Sequence, residues 1–233
     1  AERPGRLLIV AGCAAQRLGP WIEERFPYVD LVVGAKSIED YPAILSEALE
    51  RRFDWAKDNP GGWGAPAPEP VGTGAFVTVM RGCNYACTYC IVPAVRGPEI
   101  YRPLDTVLAE ARARLTGGAR EVTLLGQTVN SWRDGSGRDF ADLLRAVDAL
   151  PGVVRQRFMS PHPFFLNARL MRAMAECPSV PPHLHLPAQS GSDRMLKAMR
   201  RNYTASAFLA KAEALRDMVP SLSLTTDFIV GFP

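Results

Sequence analysis

The sequence predicts an α/β fold, a partial (β/α) barrel preceded by part of a smaller α/β domain. Three observations carry this. From residue 75 onward, short apolar runs alternate with segments of helical periodicity, the pattern of parallel strands joined by helical crossovers. A proline- and glycine-rich stretch separates that region from residues 1–53. Each apolar run of the second region is followed by a polar or glycine-bearing segment, at the strand ends where β/α barrels carry their sites.

In the first region, Leu7 to Val10 reads as a buried strand that feeds a loop at Gly12-Cys13. Val29 to Val33 repeats the pattern and ends at Gly34. Ser37-Ile38-Glu39-Asp40 then opens a helix, with Ser37 as its cap and Ile38, Tyr41, Leu45 and Leu49 at helical spacing. Two strands with so few helices make a poor core alone. Asp54 to Gly74 carries Pro60, Pro66, Pro68 and Pro70 and five glycines, so 54–74 reads as a linker between modules at 1–53 and 75–233.

In the second region the apolar runs are Phe76–Met80, Val122–Leu125, Phe158–Met159, Leu184–Leu186 and Leu222–Val230. Helical spacing fills the gaps, as at Val107, Leu108, Ala111 and Leu115, and at Phe140, Leu143, Leu144 and Val147. The segments that follow the runs are Arg81-Gly82-Cys83, Gly126-Gln127-Thr128-Val129-Asn130, Ser160-Pro161-His162-Pro163, Pro187 to Ser192, and Gly231-Phe232-Pro233.

A hydrophobic content of 47% is ample for a packed core, and 22% charged residues is ordinary for a globular protein. No run approaches the roughly 18 apolar residues of a membrane span, and Ala1 to Arg6 is too polar and short for a signal peptide. The expectation is a cytoplasmic protein without membrane contact. A net charge of +3 permits RNA contact without arguing for it, and composition sets no oligomeric state.

Of the five cysteines, Cys83, Cys87 and Cys90 fall within eight residues as C-x3-C-x2-C, while Cys13 and Cys177 stand apart. An odd, tight cluster points to metal or redox chemistry rather than a disulfide framework. A structural zinc site takes four ligands; none lies nearby in sequence, although His162, His183 or His185 could approach in space. A cubane 4Fe–4S cluster usually takes four cysteines, so three leave one iron open to a small molecule. Iron–sulfur is the stronger reading and zinc the alternative.

With Tyr89 before its last cysteine, this spacing resembles the radical S-adenosylmethionine (SAM) signature. The resemblance runs from about Pro4 to Pro233 and is closest to the tRNA branch of the radical SAM methylthiotransferases. It is carried by Gly12-Cys13-Ala14-Ala15-Gln16, Val29 to Gly34, Ile91-Val92-Pro93, Arg96-Gly97 and Arg102-Pro103. Leu124 to Asn130, His185 to Asp193 and Asp227 to Pro233 extend it.

The resemblance implies an enzyme that adds a methylthio group to C2 of N6-dimethylallyladenosine in tRNA. Its cofactors would be SAM and a 4Fe–4S cluster on Cys83, Cys87 and Cys90, and its partners tRNA and a low-potential electron donor. Positions after strand ends or beside the cysteine loop make Tyr89, Gly126, Gln127, Gln189, Ser190 and Ile229 the expected SAM contacts, with no single catalytic residue assigned. The family's N-terminal domain holds a second cluster on three cysteines; only Cys13 stands here, at the position of the third. The last barrel strand and the RNA-binding C-terminal domain of the family are missing as well. The expectation is therefore a piece truncated at both ends and not fully active alone. The alternatives are a sibling enzyme acting on a ribosomal protein aspartate, and a non-catalytic fragment that binds SAM and a cluster.

Blander roles stand beside these. Cys13 and Cys177 could be core thiols. Gln127 and Asn130 could hydrogen-bond a loop, and Ser190 or Ser192 could cap the next helix. His162 could be a turn residue, and His183 with His185 a layer of the barrel. Arg194, Lys197, Arg200 and Arg201 read as a solvated basic face, with tRNA phosphates as the rival partner.

Overall fold

A computed structural model describes residues 7–52 and 72–233, so most of the expected linker at 54–74 lies outside the described residues. The chain divides into two compact units, one of residues 1–69 with 91–97 and one of 70–90 with 98–233.

In the first unit, β1 (Ile9–Gly12) and β2 (Leu31–Gly34) pair in parallel, with Ile9 opposite Leu31 and Gly12 opposite Gly34. Helix α1 (Cys13–Arg25) makes the crossover that a parallel pair requires. The next helix, α2 (Tyr41–Arg52), begins later than expected. Ser37 closes a short 3-10 turn, Ala35–Ser37, and does not cap the helix. Pro42 gives the physical reason, because proline is favoured in the first helical turn, where its missing N–H costs nothing. A short helix, α3 (Val92–Arg96), also belongs to this unit.

The second unit begins with β3 (Gly74–Thr78), then the two-residue strands β4 (Met80–Arg81) and β5 (Ile100–Tyr101), which pair antiparallel. After α4 (Leu104–Thr116) comes β6 (Glu121–Leu125), then α5 (Phe140–Asp148) and β7 (Arg155–Phe158). Strands β3, β6 and β7 form a parallel sheet in that order. Helix α6 (Ala168–Glu176) leads to β8 (His183–His185). Helices α7 (Asp193–Ala198) and α8 (Ala205–Met218) then lead to β9 (Ser223–Thr225), which pairs in parallel with β8.

Alternation along β3 buries Ala75 and Val77 and leaves Phe76 exposed. Val77, Val122 and Leu124 pack with Val107, Ala111 and Leu115 of α4 and Leu143, Leu144 and Val147 of α5 in one core. Helix α5 is fixed in place by a capping box: the Asp139 carboxylate accepts from the N–H groups of Ala141 and Asp142, and the Asp142 carboxylate accepts from that of Asp139. Asn167 caps α6 and Thr204 caps α8 by simpler one-way bonds, their side-chain oxygens accepting from Leu170 and Ala207 N–H. Neither Ser190 nor Ser192 caps α7. Ser192 holds the cap position without a side-chain bond, and Ser190 Oγ accepts from Ser192 N–H at 3.2 Å instead.

Strand β7 is longer on its polar side than the apolar run Phe158–Met159 indicated. Gln156 points into the core, where its amide nitrogen donates to Leu144 O at 3.0 Å and Ser179 Oγ at 2.9 Å. Arg155 and Arg157 point the other way and pair with Glu121 at 3.2 and 3.1 Å. At the other end of the unit, the run Leu222–Val230 is a strand only over Ser223–Thr225, continued by an isolated bridge between Gln189 and Phe228.

Two loops at the C-terminal strand ends are tied together by a buried amide. Asn130, after β6, donates from Nδ2 to His162 O at 3.0 Å, and its Oδ1 accepts from His162 N–H at 2.8 Å. His162, after β7, accepts from Phe164 N–H through Nδ1 at 3.2 Å and stacks on Tyr85 at 4.7 Å between centroids. Burial, with Arg201 and Lys211 adding repulsion, pushes its pKa down to about 3.

Asn130→Ala strands a buried N–H and a buried C=O of His162. It is expected to cost at least about 2 kcal/mol in urea denaturation. Because the native His162 stays neutral while the unfolded one protonates, its contribution is intact above pH 6.5 and is lost as pH falls from 6.5 towards about 3. Stability measured across that window should fall more steeply in the wild type than in His162→Phe.

Candidate functional site

The cysteine loop leaves β4 through Gly82, whose φ of 77° lies in the left-handed region that glycine alone enters freely. From Cys83 to Cys90 the chain has no helix or strand, only a turn closed by Cys90 N–H donating to Cys87 O at 3.0 Å. All of Cys83, Cys87 and Cys90 are free thiols; the first two are half-buried and the third is exposed. Cys83 Sγ lies 3.3 Å from Thr128 Oγ1 and accepts from Tyr85 N–H at 3.4 Å. Burial pushes the Cys83 thiol up, and those two hydrogen bonds oppose the shift. Cys87 Sγ accepts from Arg201 Nη1 at 3.4 Å.

Other segments hold the loop from outside. Thr88 donates from its N–H to Met199 O at 3.3 Å and from Oγ1 to Ala198 O at 3.2 Å, both at the end of α7. Asn84 and Glu99 exchange two bonds, Nδ2 to Oε2 at 3.2 Å and Glu99 N–H to Oδ1 at 3.1 Å. Glu99 also accepts from Tyr101 OH at 2.5 Å and Ser131 Oγ at 3.3 Å.

Arg201 departs from the expected solvated face. Arg194, Lys197 and Arg200 are exposed, but Arg201 is half-buried against the cysteine loop. Arg200 takes a φ of 57°, which turns the chain back after α7. The Arg201 guanidinium then reaches Cys87 Sγ, Tyr89 OH at 3.3 Å and Tyr203 OH at 3.0 Å, and stacks over the Tyr203 ring. Tyr203 OH in turn donates to Ala188 O at 2.9 Å, beside Gln189.

The other residues singled out in the sequence fall as follows. Tyr89 receives the Arg201 bond, meets Phe232 edge to face, and has its phenol pushed up to about 12 by burial. Gly126 has a packing reason: a Cβ there would sit 2.5 Å from Met80 Cγ. Gln127 has a buried Oε1 with no hydrogen-bond partner among the described residues. Gln189 takes a φ of 65°, and its backbone brackets the last segment, donating to Asp227 O at 2.8 Å and accepting from Ile229 N–H at 2.9 Å. Ser190 is used in its own turn. Cys13 is half-buried at the first position of α1 in the other unit. Cys177 is buried at the end of α6, its thiol pushed up to about 11 by burial. His185 is bonded through both ring nitrogens, Nδ1 to Thr225 Oγ1 at 3.0 Å and Nε2 to Asp227 Oδ2 at 3.1 Å.

The donor set, three free thiols on one short loop, fits a polynuclear iron–sulfur group, whose irons each take a different thiolate. Donors already aimed at Cys83 and Cys87 suit anionic sulfur.

The chain is similar to several known proteins. The profile described as the radical SAM superfamily matches residues 77–233. The tRNA-2-methylthio-N(6)-dimethylallyladenosine synthase of Sorangium cellulosum (strain So ce56) is 44% identical over 260 residues, covering 100% of this chain and 52% of its own. The protein of that name from Legionella pneumophila (strain Corby) is 42% identical, covering 100% of this chain and 54% of its own. The chain thus spans about half the length of the curated relatives it matches. The cobalamin-dependent S-adenosylmethionine radical enzyme OxsB, with aqua-cobalamin bound, shares the fold at a TM-score of 0.70 and 14% identity, over 96% of this chain and 36% of that one. The radical S-adenosylmethionine methyltransferase TsrM from Kitasatospora setae does so at 0.65 and 14%, over 94% and 48%. The radical SAM match across residues 77–233, more than half of the chain, makes the chain a member of the radical SAM superfamily.

Proposed function

We propose that this chain is the SAM-cleaving core of a tRNA methylthiotransferase that modifies C2 of N6-dimethylallyladenosine. The observation that carries the reading is the cysteine loop, with free thiols and N–H donors aimed at two of the sulfurs. The substrate rests on the names of relatives matched over the whole chain. Cys83, Cys87 and Cys90 would hold a 4Fe–4S cluster. Bound there, the cluster would supply the electron that cleaves SAM to methionine and a 5′-deoxyadenosyl radical.

The chain's own residues do the rest. Tyr85 N–H and Arg201 orient the sulfurs of Cys83 and Cys87. Gln127 offers SAM a buried acceptor with no partner among the described residues. Gly126 keeps the backbone close above Met80, and Gln189 with Ile229 forms a backbone rung beside Ser190. Tyr89 contributes an aromatic wall beside Cys90. Closing such a site shields reactive species from water. Cys13 is assigned to a separate auxiliary site in the first unit. A low-potential donor would deliver the electron, and the setting would be cytoplasmic; no helix among the described residues is long and apolar enough to cross a membrane.

Anaerobic reconstitution with iron and sulfide is expected to give a brown protein. Joint replacement of Cys83, Cys87 and Cys90 by alanine should remove both colour and iron, while Cys13→Ala should leave them in place; retention of iron by the triple variant would refute the assignment. Gln127→Leu is expected to weaken SAM binding about tenfold, equivalent to about 1.4 kcal/mol, without lowering stability, since it removes an unsatisfied buried acceptor. Calorimetric titration and thermal melting of the same samples check both halves.

A further inference from the structure

Arg201 is half-buried, and among the described residues its partners are a sulfur, two phenol oxygens and an aromatic ring, with no carboxylate. A guanidinium stays charged at any accessible pH. Withdrawing such a charge from water without a counter-charge is costly. An anionic sulfur that belongs to a negatively charged group, at the position of Cys87 Sγ, would balance the charge.

We propose that Arg201 is a positioning residue that sets the reduction potential of the cluster, through its guanidinium bond to Cys87 Sγ. The inference rests on the assignment of Cys87 as an iron ligand. A cation that donates to a ligating sulfur stabilises the more negative, reduced state, and hydrogen bonds to sulfur are one of the levers by which proteins tune such clusters. The bond is directional because Tyr203 fixes the group: its OH takes Nε at 3.0 Å, its ring lies 5.2 Å from the guanidinium carbon, and its own proton goes to Ala188 O. One residue therefore indexes the cysteine loop to the loop that carries Gln189. The electron itself comes from an external one-electron donor, and no bond is made or broken in this step.

The test is a redox titration of reconstituted wild type and Arg201→Gln, followed by the paramagnetic resonance signal of the reduced cluster, with iron and sulfide measured on each sample. Equal iron is expected in both, with a midpoint shifted to more negative potential in the variant. At the wild-type midpoint the reduced fraction should fall several-fold, and Arg201→Lys should recover part of the shift. Equal midpoints at equal iron overturn the inference and leave the cysteine assignment standing. A wild type that binds no iron overturns the cysteine assignment itself. If Arg201→Gln fails to load, Tyr203→Phe takes its place: it keeps the ring, removes the Nε anchor, and is expected to shift the midpoint the same way. An unchanged midpoint there also overturns the proposal.

Discussion

A loop of eight residues with three thiols and no helix or strand, closed internally only by Cys90 N–H on Cys87 O and Tyr85 N–H on Cys83 Sγ, has little internal reason to adopt one shape. Its geometry is imposed by bonds from elsewhere in the same unit. Thr88 is pinned to the end of α7, Asn84 to Glu99, Cys83 to Thr128, and Cys87 to Arg201. The anchors come from loops beside β5 and β6 and from the end of α7, so the scaffold and the thiol geometry stand or fall together. Iron ligation by the three thiols, as proposed, would add to this network; it would not have to create it.

The same logic explains the polar residues inside the fold. Glu121 with Arg155 and Arg157, and His185 with Asp227, sit on strands β6 to β8 and the segment after β9, where an all-apolar sheet would pack more simply. Their faces alternate with buried residues such as Leu124, Gln156 and Leu184, which seal the sheet against the helices. A strand buried on its helix side and polar on the other can line a chamber for a charged ligand.

Most of the scaffold could be read from the sequence because it is written in period. The alternation at Ala75 to Val77 and the spacing Leu143, Leu144, Val147 locate strand and helix directly. The three cysteines were equally plain, since short spacing is itself the signal. The remaining partners were not. Glu99 lies fifteen residues from Asn84, and Arg201 more than a hundred from Cys87, and no local pattern links such pairs. Arg201 was hidden among basic neighbours, because the turn at Arg200 that redirects it depends on one left-handed residue. Strand β7 was underestimated because Arg155, Gln156 and Arg157 are polar for reasons visible only in three dimensions. Ser37 misled because a good capping residue preceded a better helix start at Tyr41-Pro42.

The central claim is that three thiolates leave one iron open for SAM. The most direct measurement is the paramagnetic resonance spectrum of the reduced, reconstituted protein with and without saturating SAM. Direct chelation predicts that SAM shifts the g-values of the reduced cluster. A spectrum unchanged by SAM, in a sample with a full complement of iron, would contradict it.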